Sequence, residues 1–249
     1  MSIFVLYILL GFFAELIDGC LGMAYGVFLT SCLSFTGLPF VNISAGIHCS
    51  EVFTTFASGL SHFKLGNFDK TIFKNLVIPG VIGGALGASC LKIFDGAALK
   101  PIISTYLLII GIRIFIHAFI KRAETTENKP AYLRSLGFFG GYLDAIGGGG
   151  WGPIVTGSLI DKGNAPRTVI GTVNISEFFV TLVQSMTFIF LIGLAPWKLI
   201  LGLILGGISA APLAAVLCKK INPVPMMIIV ACTIILINSY NIVKWIASI

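Results

Sequence analysis

Five acids, Glu15, Asp18, Glu51, Asp144 and Glu177, stand inside otherwise apolar runs. A charged carboxylate at the centre of a bilayer costs at least about 2.5 kcal/mol on insertion scales, so such a group faces a cavity or a partner. Two roles suit acids placed in this way. One is a relay for protons or ions; the other is a protonated or paired acid that pins two helices together. Glu51 and Glu177, with Asp18 and Asp144, are the relay candidates, because each has a mate 126 positions away. Glu15 faces Gly141 at that offset and ranks below them. His48 and Asn174 correspond by the same offset, and each stands three residues before its Glu. Residues so spaced share a helical face. His48 is a candidate substrate donor or proton carrier, or else a packed histidine with its needs met; Asn174 is its counterpart.

The second chemical feature is backbone rather than side chain. The run Gly147-Gly148-Gly149-Gly150-Trp151-Gly152-Pro153 cannot continue a helix, since each Gly costs about 1 kcal/mol relative to Ala. Pro153 lacks an amide hydrogen and suits the first turn of a new helix. Two half-helices meeting at a break are therefore expected. Helix N-termini carry partial positive charge and unpaired amides. Two of them aimed at one cavity can bind a small anion without a basic side chain, and broken helices at matching positions of two inverted halves point to a transporter site. The candidate binding residues are Gly22, Met23, Ala24, Tyr25, Gly26, His48, Gly148, Gly149, Gly150, Trp151, Gly152 and Asn174. Gly22 to Gly26 and Gly148 to Gly152 also have GxxxG spacing, so close helix packing is the competing explanation. Tyr25 and Trp151, equivalent aromatics within the breaks, either line the cavity or fill it.

The elements that hold these residues are repeated. Residues 11–55 align without a gap on residues 137–181, with 13 identities in 45 positions. A shared apolar composition alone gives roughly a third as many. The identities include Gly11, Asp18, Gly22, Gly26, Thr30, Gly37, Ser50, Glu51 and Thr55. With 57% hydrophobic and 10% charged residues and a mean hydropathy of +1.01, the chain is a membrane protein; soluble chains carry about 25% charged residues. Ile3 to Phe35 is too long for one span of about 20 residues and too short for two with a turn. A V of two half-helices fits it. Spans are expected over about 44–60, 72–91 and 99–120, then a second V over 132–159 and spans over 169–191, 197–217 and 225–243. The fold class expected is an all-α polytopic membrane protein of two inverted repeats, each a V-shaped broken-helix pair followed by three transmembrane helices. The first repeat covers 1–120, a polar cytoplasmic linker 121–134, and the second repeat 135–249.

The basic residues bear on topology. If each V returns to its side of entry, loops 62–74, 121–134, 161–167 and 218–222 share one side and carry eleven Lys and Arg, against four on the other. If each V crosses fully, the split is eight against seven. The positive-inside rule favours the first arrangement. It inverts the halves relative to one another and puts both termini outside.

The same distribution explains the net charge of +6, so no nucleic-acid partner is expected. The six cysteines contain no CxxC pair, which argues against a disulfide framework or a zinc site. No cleavable signal peptide is expected, because the first stretch lacks a basic start. Gly147, Gly149 and Gly152 fit GxGxxG, but no strand or βαβ unit surrounds them. Arg113 is expected to snorkel toward the basic end of its span; His62 and His117 are expected at the interface. HExxH and GxGD are absent from the sequence, and no cofactor or metal is expected.

The duplicated halves, each opening with a Gly-rich broken helix, and the GGGGWGP run followed by Gly171-Thr172 in the next helix, resemble the TauE/SafE sulfite exporter family of membrane permeases. The first break, Gly19-Cys20-Leu21-Gly22-Met23-Ala24, has fewer glycines than that family usually shows. The resemblance implies a secondary carrier of sulfite, an organosulfonate or a related anion in the bacterial inner membrane. Its expected partners are a small anionic solute and the lipid bilayer, with a homodimer left open. A passive anion channel and an intramembrane hydrolase built on His48 are the alternatives.

Overall fold

The computed structural model describes residues 3–93, 96–119, 128–217, 220 and 222–247. All regular structure among them is helical. The first V is α1 (Ile3–Leu21) and α2 (Tyr25–Leu33), followed by α3 (Phe40–Lys64), α4 (Lys70–Ile93) and α5 (Gly96–His117). The second V is α6 (Pro130–Gly147) and α7 (Gly157–Asp161), the latter entered through a wide π turn over Gly152–Thr156. Helices α8 (Pro166–Ile192), α9 (Trp197–Leu217) and α10 (Pro223–Ile246) complete the chain. Six of these helices are long and apolar enough to cross a membrane: α1, α4, α5, α8, α9 and α10. Much of their outer surface is apolar, with Phe190, Ile93 and Leu236 among the most exposed side chains.

The linker expected over 121–134 lies outside the described residues as far as 127, as do Cys218 and Lys219. Helix α6 starts at Pro130, inside that stretch. A proline in the first turn gives up an amide that has no helical partner anyway and brings a helical φ, so the start follows from the sequence.

The halves are interleaved. Helix α1 packs chiefly on α9, and its counterpart α6 chiefly on α4. The central helices α3 and α8 pack on each other, as do the peripheral α5 and α10. The match extends to single residues. A methyl group on Gly11 would sit 2.7 Å from Leu203 Cα, and one on Gly137 would sit 3.1 Å from Leu76 Cα. Without side chains at these two glycines, the helix backbones approach closely. Each V is thus supported by a span of the other half.

Both interruptions use left-handed backbone. Gly22 and Gly148 each have φ +66° where the first arm ends. Gly149 and Gly150 continue at +138° and +152°. In the first break the place of Gly150 is taken by Ala24, at φ 94°, a conformation that a side chain disfavours.

Candidate functional site

The two interruptions meet at the buried centre of the chain. A methyl group on Gly26 would lie 2.6 Å from Gly149 Cα, and one on Gly152 would lie 2.5 Å from Met23 Cα. Thr30 Oγ1 donates to the carbonyl of Gly148 across the same contact. Tyr106 of α5 donates its hydroxyl to the carbonyl of Gly149 at 3.2 Å. Met23, Ala24, Tyr25 and Trp151 are all buried. The breaks pack tightly on each other, and this contact brings two interrupted backbones to one place.

Asp18 and Asp144 act on these breaks in parallel. Asp144 Oδ1 accepts the Trp151 amide at 2.9 Å, and Asp18 Oδ1 accepts the Tyr25 amide at 3.4 Å. Each carboxylate reaches seven residues ahead to an amide at the start of the second arm. The other Asp144 oxygen accepts from Gln184 Nε2 at 3.0 Å, and Gln184 also donates to the carbonyl of Gly141. A carboxylate at a helix start satisfies amides that would otherwise be unpaired. These two acids thus occupy part of the backbone that an anion was expected to use.

The central helices bring the remaining residues. On α3, His48 Nδ1 lies 2.8 Å from Glu51 Oε2 and 3.8 Å from Asp144 Oδ2 of the other half. Its ring stacks on Phe188 of α8, with planes 5° apart and centroids at 5.9 Å. On α8, Asn174 Nδ2 donates to Ser58 Oγ of α3 at 2.8 Å. Each of the paired residues His48 and Asn174 therefore reaches across to the opposite half. Glu51 and Glu177 are 2% and 5% exposed, and Glu177 is within electrostatic reach of Asp18, Glu51, Asp144 and Glu15. All five acids gather at one crossing, and among the described residues no Lys or Arg forms an ion pair with any of them.

Some polar atoms there are buried without a hydrogen-bond partner: His48 Nε2, Asn174 Oδ1, Gln184 Oε1 and Trp151 Nε1. Such atoms cost about 1–3 kcal/mol each when left dry, which suits a place that takes up a polar ligand. His48 Nδ1 and carboxylate oxygens of Glu51 and Asp144 lie within 4.8 Å of one another. Hydrogen bonds from His48, Trp151 and Gln184 already engage these oxygens. The group is closed on itself rather than arranged around an ion.

Several residues have other roles. The Trp151 ring packs with Ile72, Leu76 and Val155, against the flat sides offered by Gly80 and Gly140. The Tyr25 hydroxyl is 3.0 Å from Ser50 Oγ. His62, expected at the interface, is 1% exposed, and its Nε2 is 3.4 Å from the carbonyl of Gly19. Arg113 reaches the tip of the second V, donating to Ser158 Oγ at 2.8 Å and lying 3.8 Å from Asp161, which also pairs with His117 at 2.6 Å.

Ser58 and Gln184 were not among the candidates. Their signal is the same offset of 126, two turns beyond Glu51 and Glu177. The stripes read His48-Glu51-Thr55-Ser58 and Asn174-Glu177-Thr181-Gln184, one polar face on each central helix.

Apolar outer helices around a buried polar crossing, with a broken helix from each half, define a multi-pass membrane transporter rather than an enzyme. The sulfite exporter TauE/SafE family model matches residues 7–240, and the chain belongs to that family. The chain is also 42% identical over 253 residues to "Probable membrane transporter protein YtnM" of Bacillus subtilis (strain 168), a match covering 98% of this chain and 84% of that protein. No solved structure matches it.

Proposed function

We propose that the chain is a secondary transporter of a small anion, sulfite or an organosulfonate, working by alternating access with proton coupling. The observation that carries this reading is the meeting of Gly26 with Gly149, and of Met23 with Gly152, beside the buried acids. Paired interruptions in two halves are the arrangement in which alternating-access carriers hold substrate near the membrane midplane. Family membership supports sulfite or a related anion as cargo.

The halves, 1–120 and 135–249 joined by 121–134, are proposed to be inverted, with both termini outside the bacterial inner membrane. The Lys and Arg count over the loops supports this orientation. Anion binding beside so many acids requires that positive charge accompany it. Protons are the simplest supply, and Asp18, Glu51, Asp144 and Glu177 are the groups placed to share them.

The test is uptake into liposomes containing the purified chain, with sulfite, sulfate, methanesulfonate and chloride supplied separately at two pH values. Saturable uptake of sulfite or methanesulfonate that changes with pH is expected, and the double variant Glu51→Gln/Glu177→Gln is expected to flatten that change. Large chloride conductance without saturation would instead establish a channel. No movement of any of the four anions would end the proposal.

A further inference from the structure

The two halves match closely in backbone, but their central helices differ at one chemical point: His48 in the first and Asn174 in the second. From this difference we infer that His48, held between Glu51 and Asp144, is the group through which the coupling proton must pass on its way among these acids, while its mate Asn174 is a fixed, non-titrating contact. The inference rests on the transport reading above and adds which residue carries the proton.

The geometry follows from named atoms. With Glu51 ionised, the 2.8 Å bond from His48 Nδ1 requires the ring proton on Nδ1. That leaves Nε2, buried and without a partner, as the free basic atom. A proton added at Nε2 makes an imidazolium flanked by Glu51 at 2.8 Å and Asp144 at 3.8 Å. Release of the same proton restores the neutral ring, so one proton enters and one leaves with no other bond changed. The remaining charged groups facing this crossing are Asp18 and Glu15 of α1 and Glu177 of α8. Only those of them that are ionised favour the charged ring, and burial of the ring opposes it.

The second half lacks this chemistry. Asn174 Nδ2 donates to Ser58 Oγ at 2.8 Å, and an amide neither gains nor loses a proton in the physiological range. Imidazole is the side chain whose unperturbed titration falls there. His48 also touches both halves, α3 through Glu51 and α6 through Asp144. Its charge therefore acts on the contact between the halves, as a coupling ion must when one half moves against the other.

The test uses the full chain in liposomes loaded with a pH-sensitive dye, with methanesulfonate as the probe because its charge does not change with pH. Wild type is expected to move one proton per anion. In His48→Asn the rate falls, and protons moved per anion drop to the leak of empty liposomes. An unchanged proton-to-anion ratio in that variant overturns the inference. If the variant moves no anion at all, wild type carrying ¹⁵N-labelled histidine decides the matter by NMR in lipid nanodiscs. The His48 Nε2 signal must shift as the pH is changed, and a ring that stays in one form overturns the inference. Failure of wild type to move any anion would count against the transport reading alone, since the NMR titration stands apart from it.

Discussion

Gly26 and Gly149 touch through their backbones, one from each half, with no side chain between them. The 2.6 Å separation between a methyl on Gly26 and Gly149 Cα leaves no room for even one added carbon. Backbone cannot rotate aside as a long side chain can. Gly26→Ala is therefore expected to destabilise the chain by about 1–3 kcal/mol, the usual cost of overpacking, and to lower transport sharply. Gly157→Ala is the control, because its methyl would meet nothing closer than Arg113 Nη2 at 3.8 Å. Thermal unfolding in detergent compares them, and equal melting temperatures for the two variants would refute the close-contact account.

A second prediction concerns the acids that cap the breaks. Asp144→Ala leaves the Trp151 amide without its acceptor and removes one of the two acceptors of the Gln184 amide group, which keeps the Gly141 carbonyl. Asp18→Ala removes only the longer 3.4 Å bond to the Tyr25 amide. A buried group left unpaired costs about 1–3 kcal/mol, so Asp144→Ala is expected to be the more destabilising variant. The order of the two melting temperatures is the check.

Ala24→Gly is predicted to stabilise. An L side chain in left-handed backbone costs roughly 1–2 kcal/mol, and Ala24 sits at φ 94°. The added freedom of glycine in the unfolded chain takes back about 0.4–1 kcal/mol. The net gain expected is on the order of 0.5–1 kcal/mol. A lower melting temperature than wild type would show that the strain is absent or that the Ala24 methyl is needed.

A fourth prediction addresses the tip of the second V. Asp161 pairs with Arg113 and His117 of α5, and Arg113 and Asp161 are 42% and 33% exposed. Pairs this open to solvent contribute about 0–1 kcal/mol. Asp161→Asn should hardly change the melting temperature, yet it should speed amide hydrogen exchange over Gly157–Asp161. Unchanged exchange there would mean that α5 does not restrain α7.

The broken helices were legible because glycine and proline have strong local consequences, and the duplication repeats them at a fixed interval. The positions of Glu51, Glu177, Asp18 and Asp144 were legible for a similar reason, since a charge in an apolar run stands out. What these acids touch was not. The bond from Trp151 to Asp144 could be guessed from a seven-residue separation, but His48 meets Asp144 across 96 positions and Asn174 meets Ser58 across 116. Such contacts depend on how α3, α6 and α8 cross, which no local pattern specifies. Ser58 and Gln184 carry little signal because serine and glutamine are unremarkable one at a time, and they stand out only as a pair at equal offset. The helix start at Pro130 lies two residues before the second V expected from hydropathy, within the polar stretch expected as linker.

The crossed support of the two Vs also governs how the chain is made. When α1 enters the bilayer from the ribosome, the strand of backbone that will receive Gly11, at Leu203, has yet to be synthesised. The support that α9 gives to α1 can therefore form only after α9 has been made. A chain carrying only the first half would lack α9, so α1 would have to find that support on another molecule.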